Sequence, residues 1–274
     1  MTIVEWAKYM SHSAAIALQW GHESIGYFSK QPAIRLIIFV HGFGGRSWKT
    51  WQGAEAALVS DPRAEASDIV FFGYHSLRSQ PALSAGILRS FVDVAAAGAT
   101  AWNDIVTRAT GAAALRNYEE VLFVAHSLGA PVTRRAILDG VRAGATWSQK
   151  VGMILFAPAH RGAYLIDIQR ELSGSIGAIV GAVVTFAKLG VLSLDDLKPG
   201  SDFLNDLATE SDANFRAGRT LQTRAKQVIF GSDDNVVRAR DFPNDPPIDV
   251  WTGHGHCSIC RCDQTAPAIA AHLK

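Results

Sequence analysis

The sequence predicts an α/β protein, a doubly wound and mostly parallel sheet covered by helices. Three observations carry the prediction. Short apolar runs recur along the chain, and most are nearly continuous rather than alternating, as in strands buried on both faces. Longer stretches with helical spacing separate them, and a strand–helix–strand repeat implies right-handed crossovers. Glycine is frequent, at 24 residues, which suits tight turns between strands and helices. With 274 residues, 48% of them hydrophobic, the chain has enough material for one domain with a substantial core, expected over residues 1–274.

In chain order, strands are expected at residues 34–40 (IRLIIFV), 69–74 (IVFFGY), 121–125 (VLFVA), 151–156 (VGMILF), 228–230 (VIF) and 248–251 (IDVW). After residue 127, Val132, Ile137 and Val141 recur on roughly one helical face. The simple alternation is interrupted over residues 161–200, where a helical insertion is expected. Its centre is SIGAIVGAVVTFAKLGVLSL, residues 175–194. That run approaches the roughly 20 apolar residues of a bilayer span, but Lys188 breaks it and its glycines and alanines make it weakly hydrophobic. A helix packed closely through Gly177 and Gly181, a lid over an active site and a membrane span all remain open for it. In residues 201–207, Ser201 or Asp202 is expected to cap a helix with Phe203, Leu204 and Leu207 facing inward.

Charged residues make up 19% of the chain and the formal net charge is +1, with no long basic run, so nothing asks for nucleic acid. The three cysteines, Cys257, Cys260 and Cys262, form an odd, clustered set that makes a poor disulfide framework. Read as reduced, they favour a cytoplasmic setting. The N-terminal residues, with Glu5, Lys8 and His12 among the apolar positions, do not resemble a signal peptide. The run from His254 to Cys262 (HGHCSICRC) has ligand types that suit zinc. However, it lacks the second, separated pair of a structural site. No metal is expected, and the cysteines are expected to pack as small hydrophobes.

Two turns carry chemistry. The strand VLFVA runs into AHSLG, residues 125–129, and then into a helix. Such a strand–turn–helix can hold a serine, here Ser127, in a strained conformation that exposes its hydroxyl above the sheet. Positions two residues either side must be small, and Ala125 and Gly129 are. An ordinary helix-capping serine is the plainer account of the same string. Upstream, IRLIIFV ends in HGFGG, residues 41–45, a turn able to aim a backbone N–H at a developing oxyanion. The expected donors are the N–H groups of Phe43 and Leu128. His41 is expected to brace the loop rather than act as a base.

HGFGG followed by AHSLG, each at the end of an apolar strand, resembles the α/β-hydrolase superfamily from about residue 33 onward. The single ordinary residue at Phe43 looks like the lipase and esterase group, and Ala125 departs from its usual glycine. LKPGSDFLNDL, residues 197–207, is similar to a helix start in inositol-deacylase-like serine esterases. The resemblance implies the order serine, acid, histidine. The pattern G-x-x-D-x-x-V places the acid at Asp234 in GSDDNVV, with Asp233 as the alternative. HCSIC places the histidine at His256, with His254 as the alternative. The position of residues 161–200 matches where this superfamily inserts caps.

The expected activity is hydrolysis of a small-molecule or lipid ester through an acyl-enzyme on Ser127, with His256 as base and Asp234 orienting it. That scheme calls for no cofactor and no obligate protein partner, and an apolar cap would suit transient membrane-surface contact. Acyl transfer on the same residues, or a binding protein that keeps the fold, are the rival functions.

Overall fold

The computed structural model describes residues 11–113, 115–163 and 193–273. Its centre is a sheet of eight strands: β1 (Ile16–Ala17), β2 (Ile25–Tyr27), β3 (Arg35–Val40), β4 (Ser67–Phe72), β5 (Glu120–His126), β6 (Val151–Phe156), β7 (Gln227–Gly231) and β8 (Ile248–Trp251). The spatial order is β1-β2-β4-β3-β5-β6-β7-β8. From β4 through β8 every neighbouring pair is parallel, whereas β1 and β2 add an antiparallel edge. The six expected strands are all present with ends shifted by up to two residues. The sequence does not signal the two edge strands, because two or three residues are too few to show a period.

The continuous apolar runs have a simple cause. Leu36, Ile38 and Val40 of β3 and Phe123 and Ala125 of β5 point to one face. There they meet Leu88, Phe91 and Val92 of α2 (Pro81–Ala96) and Val132, Ala136 and Ile137 of α4 (Gly129–Arg142). The alternate residues Ile37, Phe39, Leu122 and Val124 point the other way, onto Leu58 of α1 (Ala54–Val59) and Ile269 of α8 (Thr265–Ala270). A strand buried on both sides has no polar face to show, so the period of two disappears. Helix α3 (Thr100–Thr110) contributes Trp102 to the first layer.

After β6 the chain passes through residues 157–163, and it is next described from α5 (Ser193–Asp196) onward. The cap expected over 161–200 therefore lies mostly outside the described residues. At its margins, the Ala163 N–H donates to the Leu197 carbonyl (3.0 Å). Helix α6 (Asp202–Arg216) begins as expected: the Ser201 hydroxyl accepts from the Leu204 N–H, and Leu204 and Leu207 are buried while Phe203 is half-buried. A short helix α7 (Thr220–Thr223) leads to β7.

From β3 the chain first goes to β4 on one side and then to β5 on the other. The crevice at the carboxyl ends of β3 and β5 is thus the topological switch point, where an open α/β sheet places its ligand. Both glycine-bearing turns read from the sequence leave from it.

Candidate active site

Ser127 sits between the last residue of β5 and the start of α4 with φ +53°, one of four described non-glycine residues at positive φ. Hydrogen bonds on both sides hold it there. Its N–H donates to the Phe156 carbonyl (3.0 Å), and its carbonyl accepts from the N–H groups of Ala130 (3.0 Å) and Ala159 (3.2 Å). The small neighbours do what their size requires. A Cβ on Gly129 would stand 2.4 Å from the Val40 carbonyl oxygen and 2.6 Å from that of His41. One on Gly42 would stand 2.7 Å from the Ser127 Cβ, so the HGFGG turn lies directly against the serine. Pro131 falls in the first turn of α4, where its missing N–H leaves no gap.

The residues following β7 and β8 converge on Ser127. Its Oγ lies 2.8 Å from His256 Nε2, and His256 Nδ1 lies 3.0 Å from Asp234 Oδ2. Asp234 Oδ1 accepts from the N–H groups of Val236 (2.9 Å) and Val237 (3.1 Å), so both its oxygens are engaged. All three side chains are buried. Burial pushes the Asp234 carboxyl up, but the His256 hydrogen bond and charge, with the two amides, outweigh it and hold the group below the ordinary carboxylate range. The two loops are stitched together by Ser232 N–H to the Trp251 carbonyl (2.9 Å) and Asp233 N–H to the His254 carbonyl (3.0 Å).

The alternatives lie elsewhere. The Asp233 side chain faces solvent and accepts from the Ser232 hydroxyl (2.7 Å). His254 is half-exposed and enters the stitching through its carbonyl. His41 braces its loop as expected. Its Nδ1–H donates to the Gly42 carbonyl (2.8 Å), its Nε2 accepts from the Tyr74 N–H (3.3 Å), and its ring stacks on Tyr74 at 4.4 Å. Burial pushes its pKa down to about 4. Leu128 opens α4, whose first N–H groups have no intrahelical acceptor, and Phe43 lies one residue beyond the glycine that touches Ser127. Cys260 belongs to the core, and burial raises its thiol pKa. The Cys262 thiol meets the Ile259 carbonyl (3.7 Å) and Thr265 Oγ1 (3.4 Å). Among the described residues, no three His, Cys, Asp or Glu side chains are grouped to hold a metal ion.

Two supporting residues were missed in the sequence. His126 precedes the serine, and its Nε2–H donates to the His256 carbonyl (2.9 Å). Burial, then the nearby His256, lower its pKa to about 3. Arg134 of α4 forks onto Asp245 (2.9 and 2.7 Å), donates to His160 Nε2 (3.2 Å) and to the Thr223 carbonyl, and lies over the Phe242 ring. It thereby clamps the loop following Asp234 to the helix that follows Ser127. Nothing local marks either residue, since both act through segments distant in sequence.

Among solved structures, the chain superposes on a lipase, BlEst2 of Bacillus licheniformis in its propeptide form, with a TM-score of 0.54 and 16% identity, over 94% of this chain and 52% of that one. The chain has the α/β-hydrolase fold. It spans about half the length of that pro-form. The same fold aligns with the peroxisomal alpha-beta-hydrolase Lpx1 of Saccharomyces cerevisiae, with a TM-score of 0.50 and 14% identity over 91% of this chain and 80% of that one. It also aligns with a membrane phospholipase A described as a bacterial virulence factor, with a TM-score of 0.50 and 11% identity over 98% of this chain and 88% of that one. No protein-family model and no curated protein matches the sequence. In an α/β-hydrolase fold the carboxyl ends of the strands carry the site, which is where Ser127, His256 and Asp234 meet.

Proposed function

We propose that the protein is a serine carboxylester hydrolase working through an acyl-enzyme on Ser127. The observation that carries the reading is the unbroken chain Ser127 Oγ to His256 Nε2 (2.8 Å) and His256 Nδ1 to Asp234 Oδ2 (3.0 Å), ending on a serine in a strained turn. Asp234, accepting from Nδ1–H, keeps Nε2 as the acceptor facing the serine. On attack, the Ser127 oxygen bonds to the ester carbonyl carbon while its proton passes to Nε2. The negative charge then grows on the carbonyl oxygen, toward the N–H groups of Phe43 and Leu128. His256 returns the proton to the departing alcohol. It next takes a proton from a water whose oxygen bonds to the acyl carbon, and it passes that proton to the Ser127 oxygen as the acyl–oxygen bond breaks and the acid departs. A lipase and a phospholipase among the structures of the same fold agree with an ester substrate.

A fluorophosphonate probe should label the wild type at Ser127. Ser127→Ala should escape labelling and lose ester hydrolysis by about 10⁴-fold or more while melting like the wild type. Near-normal hydrolysis by the alanine variant would sink the assignment.

A further inference from the structure

A cleft of about 240 Å³ opens beside the HGFGG turn. Gly42, Phe43 and His126 form part of its lining, so it begins one residue from the serine and at the expected oxyanion donor. Its charged side chains are Arg46, Lys49 and Arg261, and no carboxylate lines it. Arg46, Lys49 and Arg261 are exposed, and among the described residues none of them pairs with an acid. Arg261 is steadied by its Nε–H on the Thr50 carbonyl (3.3 Å).

Three like charges gathered in one concavity repel one another, and the formal net charge of the whole chain is only +1. The concave wall focuses their field outward, and an anion entering it relieves the repulsion. Guanidinium groups also match the geometry of phosphate and carboxylate oxygens. We propose that this cleft is a subsite for an anionic group, a phosphate or carboxylate, carried by the ester substrate, with Arg46, Lys49 and Arg261 as the residues that read it. The inference rests on the ester-hydrolase reading above, and it makes the preferred substrate an anionic ester.

The test compares matched esters. On the acyl side they are 4-nitrophenyl hexanoate and the 4-nitrophenyl monoester of adipic acid. On the alcohol side they are 4-methylphenyl acetate and 4-acetoxybenzoate. The wild type should favour the anionic member of at least one pair by roughly tenfold in kcat/KM. That ratio should fall toward parity in Arg46→Ala/Lys49→Ala/Arg261→Ala, and in about 0.5 M salt. Because Arg261 also holds Thr50, the double variant Arg46→Gln/Lys49→Gln is measured beside the triple, with melting curves for both. A ratio unchanged by either set of substitutions would overturn the proposal. If no ester is hydrolysed, the ester-hydrolase reading fails by itself. Calorimetric titration with inorganic phosphate then decides the subsite: binding by the wild type that is lost in the variants supports it, and equal or absent binding overturns it.

Discussion

Ser127 holds a backbone conformation that costs a non-glycine residue about 1–3 kcal/mol, and it is kept there by bonds from Phe156, Ala130 and Ala159. The same economy separates the paired candidates around it. Asp234 has both oxygens engaged and buried, whereas Asp233 meets only Ser232 at the surface. Asp234→Asn and His256→Ala should therefore lose activity by orders of magnitude. Asp233→Asn and His254→Ala should retain most of it in the same assay, and the opposite ranking at either pair would move the role to the neighbour. Stability should follow the Asp234 charge as well. Its folded pKa is depressed, so the carboxylate stabilises the native state above the ordinary carboxylate pKa of about 4 and that contribution fades as pH falls through the lower folded value. The stability gap between wild type and Asp234→Asn, read from urea melts, should narrow over that acid range.

At the scale of elements, the site depends on how closely the β3 turn approaches the β5–α4 turn. Gly129 faces the backbone carbonyls of Val40 and His41, which cannot step aside without moving β3. Gly129→Ala should thus cost about 1–3 kcal/mol through overpacking and lower the melting temperature. Gly42 faces the Ser127 Cβ instead, so a methyl there displaces the serine relative to His256. Gly42→Ala should reduce kcat far more than it reduces stability. Equal losses of stability and rate in both variants would show that the two turns are not separately tuned. Strand β8 makes a contrast, with Val250 over half exposed, and its pairing with β7 serves chiefly to bring His256 alongside Asp234.

The molecule as a whole carries a consequence of burying neutral imidazoles around the site. His41 and His126 are held at about 4 and about 3 by burial. The unfolded chain takes up protons at these groups below about pH 6.5, and the native state does not until its own lower values are reached. Stability should therefore fall as pH drops from about 6.5 toward 4, by about 1.4 kcal/mol per pH unit for each such histidine. The slope in His126→Asn should be smaller by about one proton, measured from urea midpoints across the range. An unchanged slope would mean that His126 is charged in the native state. Above about pH 4 the Asp234 carboxylate is still ionised in both states, so the histidine slope is read there by itself.

By itself, the sequence determined the six central strands, the Ser127 turn, the glycine turn at Phe43 and the capped start of α6. Each of these is written in a contiguous string whose burial period, small residues or capping residue act over one turn of chain. Tertiary structure alone decided the rest. The resemblance already preferred Asp234 to Asp233 and His256 to His254, but that the Asp234 and His256 side chains are the ones in line with Ser127 is a matter of how the β7–β8 pairing turns them, a direction that neighbours in sequence do not carry. The support from His126, the Arg134–Asp245 clamp and the cationic cleft joining Arg46 and Lys49 to Arg261 bring together residues far apart along the chain. The edge strands β1 and β2 also belong here, because their few residues become strands only when β4 supplies hydrogen-bond partners. Local chemistry fixes where a turn forms, but a charge or hydrogen bond between distant segments exists only once the sheet has set their separation.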